Sequence, residues 1–495
     1  MGANEKKSAV KWTYWLFLAI GLGFMLLFPR LKPFSTITPV GMTVLGVFIG
    51  MVFLWSTMDS IWPSLLGLLL VALAGYLGED FKGYAAVKEV FLQAIGSETV
   101  IVCLLGMILF GGVSYVGGTK YMARFFMSRK ILEGRPYVFL FLVFLCSFFL
   151  GGLTQPIASM LILWPLAIEI CDKTGYKKGD KVFYILICGI YLASTLGQPM
   201  LPFKGAPYII ISAFEKVTGL TVNFGNYIAY NLIMSMILLV LFILYVKFIV
   251  RPDVTGLKEI TVEDLTKEKL PPMNMQQKAF FIMLALLCIA LVIPAFLPKT
   301  FPGIAFINKM GNIGIFLTAI IIMMIVPFEG KPILPFKAVA QKNVSWDILF
   351  LVAAAIYVCN CMTADVTGIK PFLVSVLQPM LGGKPDLVFV FLLLAFAIIT
   401  TNFANNAGMA VVLMPVILAF STQYPGVNLT ALGMSVTMMV FVALLTPAAS
   451  PYCGMLHARK DLVSYKEIMS LFIPMFLIAL AVYATVGYGI ACVLF

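Results

Sequence analysis

Residues 401–415 read TNFANNAGMAVVLMP, with Asn402, Asn405 and Asn406 crowded between two apolar runs, 387–399 before them and 411–420 after. Those flanks put the amides at membrane depth, where polar groups are tolerated only when buried in protein or lining a cavity. A counterpart stands in the first half of the chain at 151–165, GGLTQPIASMLILWP. Pro165 and Pro415 are separated by the same interval as Gln155-Pro156 and Asn405-Asn406. The spacing predicts the tips of two half-membrane hairpins with a substrate held between them.

The composition fixes the environment of these stretches. Apolar residues make up 61% of the 495 and charged residues only 11%, with a mean hydropathy of +1.02. A soluble chain of this size needs far more charge to cover its surface. Apolar runs near the ~20 residues that cross a bilayer recur along the whole length, and they are continuous rather than alternating. The expected class is an all-α polytopic membrane protein with about 11 transmembrane helices plus two re-entrant hairpins. The net charge of +12 follows from topology. With the N-terminus cytoplasmic, most of the 34 Lys and Arg fall on the cytoplasmic side, as the positive-inside rule requires, and no nucleic acid partner is needed to explain them. Lys6, Lys7 and Lys11 precede an apolar run at 12–28, which is read as a retained first span because Pro29-Arg30 follows instead of a small-residue cleavage site. The nine cysteines show no zinc spacing, and neither a disulfide framework nor a cofactor is expected.

In chain order, the reading gives an N-terminal span in 1–37 and a first repeat over 38–249. That repeat contains a hairpin at 138–170 and a helix at 183–212 broken by LGQPMLPFKGAP, whose prolines and glycines forbid one regular helix. A polar linker follows at 250–278 on the cytoplasmic side. A second repeat covers 279–495, with a hairpin at 386–421 and a helix at 430–456 broken around Thr446 and Pro451. Basic residues flank the first hairpin at Arg129, Lys130 and Arg135 and again at Lys173, Lys177, Lys178 and Lys181. Both flanks therefore lie on one side; a re-entrant hairpin and two ordinary crossings with a tight turn satisfy this equally. An odd number of crossings separates the hairpins, so the repeats are expected to be inverted.

Two tips and two broken helices related in this way would converge near the midplane. Half-helix N-termini offer free N–H groups to an anion, and unwound carbonyls with Asn and Thr oxygens suit sodium. For any one of these polar residues a helix cap or an interhelical hydrogen bond is the simpler role; as a set at repeat-related positions they point to a binding site. The expected substrate-binding residues are Thr154, Gln155, Pro156, Lys204, Gly205, Asn405, Asn406, Ala407, Ser450 and Pro451. The expected ion-binding residues are Ser159, Thr195, Gly197, Thr401, Asn402, Asn405, Thr446 and Ala449. Lys204 is the sharpest of them, since a charge at the centre of a membrane helix costs roughly 2.5–3.5 kcal/mol on insertion scales. It either neutralises a substrate carboxylate or takes the place of a sodium ion; the alternative is that the break lets it reach an interface. Glu98 and Asp347, at equivalent span starts, are read as caps. No Walker A loop, HExxH or GxSxG pattern is present, so neither ATP drive nor an enzyme is expected.

The layout resembles the divalent anion/sodium symporter family. That family carries a Ser-Asn-Thr triplet at each hairpin tip; aligned on Pro165 and Pro415, those places hold Gln155-Pro156-Ile157 and Asn405-Asn406-Ala407, where only Asn406 matches. Its Gly/Thr/Pro-rich breaks end in Pro-Pro-Asn, where this chain has Gly205-Ala206-Pro207-Tyr208 and Ala449-Ser450-Pro451-Tyr452. The resemblance implies a secondary transporter of a small di- or tricarboxylate-like anion in a bacterial inner membrane, coupled to Na+ or H+. It also implies a homodimer whose hairpin-bearing domain moves against a scaffold in an elevator motion. A proton-coupled or exchange carrier with Lys204 replacing one sodium, and a cation/proton antiporter, are the competing expectations.

Overall fold

The computed structural model describes residues 12–74, 84–265, 270–293, 301, 303–402, 406–420, 423–447 and 449–495. Among these the fold is all-helical apart from a two-residue antiparallel pair, Pro327–Phe328 with Lys331–Pro332. Among the described residues nine helices are long and apolar enough to cross a bilayer, or ten if Phe336–Asn343 and Trp346–Met362, bent by 70°, form one span. Two of the expected spans are described as shorter pieces. Ile61–Ala74 is described up to residue 74, and the expected broken helix at 430–456 is divided into Leu429–Met439 and Pro451–Ala458.

Helix ends in hydrocarbon must satisfy their free backbone groups, and the sequence supplies the caps. Thr38 accepts from the Gly41 amide ahead of Pro39–Thr57, and Asn223 from the Asn226 amide ahead of Phe224–Tyr245. Ser464 and Glu467 close a reciprocal capping box. Ser97 and Ser345 cap the helices at Glu98 and Trp346, so the expected capping role belongs to these serines and not to Glu98 and Asp347.

The same order of elements runs through both halves. In the first, Glu98–Tyr115 leads through a short amphipathic helix, Gly118–Met127, to the hairpin arms Pro136–Leu153 and Pro156–Thr174. The broken helix Lys181–Gly197 and Ala206–Thr218 follows, then the long Phe224–Tyr245. In the second half, Trp346–Thr363 and Ile369–Leu381 precede the arms Asp386–Thr401 and Asn406–Phe420, then the second broken helix, then Tyr465–Val482.

Each hairpin packs on the broken helix that follows it. In the first half the contact is backbone on backbone. A Cβ on Gly197 would lie 2.0 Å from the Phe148 carbonyl oxygen, and one on Gly151 would lie 2.3 Å from that of Ser194. Small residues at these crossings allow the close approach that drives helix association in lipid. The Trp164 indole adds a hydrogen bond to the Ile187 carbonyl at 3.1 Å.

The segment after Arg251 holds only short helical pieces, Gly256–Glu259 and Val262–Leu265, and it is strapped down. The Tyr176 hydroxyl donates to the Asp253 carbonyl and accepts from the Gly256 amide, while Glu133 accepts from the Val262 amide.

Candidate functional site

The first hairpin turns at Thr154 and Gln155, the first arm of the second ends at Thr401 and its other arm begins at Asn406, and both broken helices restart beside these points. The second arm of the first hairpin starts at Pro156, and that of the second hairpin at Asn406. The broken helices restart at Ala206 and Pro451. Gly205 turns the chain into Ala206–Thr218 with φ 58°, a conformation costly for any residue with a Cβ. Ser450 opens Pro451–Ala458 by accepting from the Cys453 amide at 3.1 Å. All four helix starts border one cavity of about 760 Å³, through Gln155, Asn406, Ala206 and Ser450. A smaller annex of about 70 Å³ shares Gln155 and Gln198 with it and adds Lys204 and Gly205.

Lys204 is buried, and among the described residues it is the one charged side chain that is. Its Nζ donates to the Gly152 carbonyl in the first hairpin at 2.6 Å and lies 5.5 Å from the centre of the Phe110 ring, within cation–π range. Among the described residues no carboxylate pairs with it. The break does not carry Lys204 to an interface; it holds an ammonium with unspent donors at the wall of the annex.

The expected substrate residues therefore converge. Thr154, Gln155, Asn406, Ser450 and Pro451 line the main chamber, and Gln155, Lys204 and Gly205 line the annex. Thr154 spends its proton on the Leu150 carbonyl of its own helix. Pro156 is buried behind Gln155, and Ala407 follows Asn406 on its helix. Asn405 lies outside the described residues.

The ion candidates divide between the halves. The Thr401 hydroxyl lies 3.0 Å from the Asn406 side-chain oxygen and 2.8 Å from the Val440 carbonyl, its one proton shared between these two acceptors. Asn402 accepts from the Leu444 and Leu445 amides at 2.9 and 2.7 Å, and its own carbonyl accepts from Thr446. Ala449 is buried next to this junction, its amide bonded to the Thr446 carbonyl at 3.2 Å. These four residues tie the second tip to the second break. In the first half the same types of residue are engaged in packing. Ser159 bonds Ser147 across the hairpin arms at 2.8 Å, Thr195 donates to the Leu192 carbonyl of its own helix, and Gly197 is pressed against Phe148.

Other lining residues lie outside the expected site residues. Tyr452 donates to Gln155 at 3.1 Å, and Asn343, on the bent helix, packs against Gly111. Asp59 and Asp347 are exposed members of the lining, as is Lys342, which lies over the Tyr115 ring.

A family model described as citrate transporter matches residues 50–310. An uncharacterized transporter of Haemophilus influenzae is 23% identical over 95% of each chain. The sodium-dependent dicarboxylate transporter SdcS of Staphylococcus saprophyticus is 21% identical over 61% of this chain and 60% of its own. In fold, the chain is similar to the YdaH transporter of Alcanivorax borkumensis, with a TM-score of 0.55, 14% identity, and 82% of this chain and 89% of that one covered. It is equally similar to MtrF of Neisseria gonorrhoeae, TM-score 0.55 at 13% identity, over 90% of this chain and 97% of that one. With helices long and apolar enough to cross a membrane, a cavity bordered by residues of both hairpins and a family model matching more than half its length, the chain belongs to the citrate transporter family.

Proposed function

We propose that the chain is a secondary active transporter of a small di- or tricarboxylate-like anion, coupled to Na+ and moved by an elevator motion. The convergence of four helix N-termini on one cavity, with one buried, unpaired ammonium in the annex beside it, carries this reading. N–H groups and positive dipole ends favour an anion there, and Lys204 adds a full charge. The name of the staphylococcal relative supports a dicarboxylate and sodium. The moving body would be the two hairpins with their broken helices, working as inverted repeats against the remaining helices of a homodimer in a bacterial inner membrane, N-terminus cytoplasmic. The cation site would lie at the second tip, where Asn402 and Thr446 meet, since the Asn402 backbone carbonyl and the Thr401 and Thr446 hydroxyls are oxygen ligands of the kind sodium takes.

One observation favours a second reading of the coupling. The Lys204 ammonium sits on the Gly152 carbonyl as a bound cation would. The first-half ion would then be replaced by the lysine, leaving a carrier driven by a single sodium, by protons or by exchange. A cation/proton antiporter is the weaker alternative, because no carboxylate among the described residues is buried at the site.

Uptake of labelled anions into proteoliposomes, with and without an inward sodium gradient, tests the reading. Concentrative uptake of a carboxylate that depends on sodium supports it. No uptake of any carboxylate under either gradient would overturn it. Strict dependence on two sodium ions would overturn the lysine-for-sodium variant alone.

A further inference from the structure

The charges around the two cavities fix more than the sign of the substrate. The buried wall holds one full charge, the Lys204 ammonium, and it faces the annex. The chamber adds Lys342, Asp59 and Asp347, all exposed, so its own formal charge is negative. Lys342 is in addition drawn over the Tyr115 ring. The rest of the chamber wall is largely apolar, including Trp55, Met107, Phe110, Ile157, Leu161 and Phe441.

A carboxylate removed from water is stable only when paired or fully hydrogen-bonded. The annex meets that condition for one such group: Lys204 has donors to spare, beside the amides of Gln155 and Gln198 and the Ala206 helix start. Its small volume admits one carboxylate and no more of the molecule. A second ionised carboxylate would stand in the chamber between apolar side chains, near two aspartates of its own sign. The helix starts at Asn406 and Pro451 offer only partial charges there, and the neutral polar side chains of the wall, Ser450 and Asn406 among them, are donors that add no full positive charge.

We propose that the site accepts its substrate as a monoanion, with one ionised carboxylate on Lys204 in the annex and an uncharged remainder in the chamber; this rests on the site being one for carboxylates. A monocarboxylate with an apolar body, or a dicarboxylate with its second carboxyl neutralised, meets this description.

Charge state can be varied at constant pH with succinate, monomethyl succinate and dimethyl succinate, read as the rise in melting temperature of the purified full-length protein at pH 7.5. A ligand that binds only the folded state must raise it. The half ester is expected to stabilise at concentrations at least tenfold below those succinate needs, with the diester silent. In Lys204→Gln, which keeps a polar side chain at the position, the half ester is expected to lose its advantage over the diester. Succinate binding tighter than its half ester would overturn the monoanion proposal and leave the carboxylate reading standing. An unchanged preference in Lys204→Gln would overturn the role of Lys204. Silence from all three compounds would overturn the carboxylate reading itself.

Discussion

The Tyr452 hydroxyl donates to the Gln155 side-chain oxygen at 3.1 Å, joining the second broken helix to the tip of the first hairpin across the candidate site. Both residues line the chamber and the annex, so this hydrogen bond forms part of the wall around the space a substrate would fill. A neutral hydrogen bond of this kind contributes about 0.5–1.5 kcal/mol. Tyr452→Phe is therefore expected to leave folding intact and change the KM for uptake by roughly two- to tenfold. Measured KM and melting temperature together check this; a large loss of stability would make the contact structural.

Lys204→Met removes the buried ammonium while keeping an unbranched side chain. Hydrogen bonds to charged groups contribute about 1.5–3 kcal/mol, so affinity for a carboxylate should fall roughly ten- to a hundredfold. The protein itself should be no less stable, because a buried, unpaired charge costs free energy in the unliganded state. Uptake kinetics and thermal unfolding of the same preparation separate the two effects.

Asn402 binds the end of the first arm of the second hairpin to the second break. Asn402→Ala would leave the Leu444 and Leu445 amides, now bonded to its side chain, without that acceptor. Each orphaned buried group costs about 1–3 kcal/mol. Thermal unfolding in detergent should show a clear fall in melting temperature. If transport uses sodium at this junction, the apparent sodium affinity should fall further than the substrate affinity measured at saturating sodium.

Gly197 sits where the first hairpin touches the first broken helix. Gly197→Ala would put a Cβ 2.0 Å from the Phe148 carbonyl oxygen, so the two helices must separate. Overpacking of this kind costs about 1–3 kcal/mol. Gly23→Ala, where nothing lies within 4 Å of the added Cβ, is the matched control and should be neutral or slightly stabilising. Comparing the two melting temperatures distinguishes a packing role for Gly197 from a general sensitivity to glycine replacement.

Tyr208, Glu98 and Asn312 form a closed polar cluster away from the cavity. Tyr208 donates to Glu98 at 3.1 Å, and the Asn312 amide reaches both. The cluster ties the first broken helix to Glu98–Tyr115 and Ile304–Ile325, two helices outside the proposed moving body. An elevator motion would have to break it in each cycle. Tyr208→Phe is expected to lower stability by about 1 kcal/mol while raising the initial uptake rate. A rate that only follows the amount of folded protein would show that these helices do not part.

The sequence by itself determined the class and most of the helices, and it marked residues that line one cavity. Apolar length set the spans, because hydrocarbon leaves the backbone no partner but itself. Proline and glycine set the first break at 198–205, because those residues cannot continue a regular ladder. The second helix already stops at Met439, ahead of Pro447 and in an apolar run that gives no such signal. The matched intervals around Pro165 and Pro415 picked out Gln155 and Asn406, and both line the chamber. The use made of each polar residue was decided only by tertiary structure. Ser159 and Thr195 looked like Thr401 and Thr446 as letters. A hydroxyl takes whichever carbonyl or hydroxyl packs within about 3 Å of it, and the tight crossing of the first hairpin engaged the former pair in packing. Asn343 and Asp59 reach the cavity from segments with no local signal. Tyr452 and Asp347, visible in the sequence as a motif neighbour and a span start, gain a place in the wall only when their neighbours arrive on folding. Lys204 shows both levels at once. Its charge in an apolar stretch was plain from the chain, while the Gly152 carbonyl beneath it and the absence of a paired carboxylate among the described residues make it a cation facing the cavity.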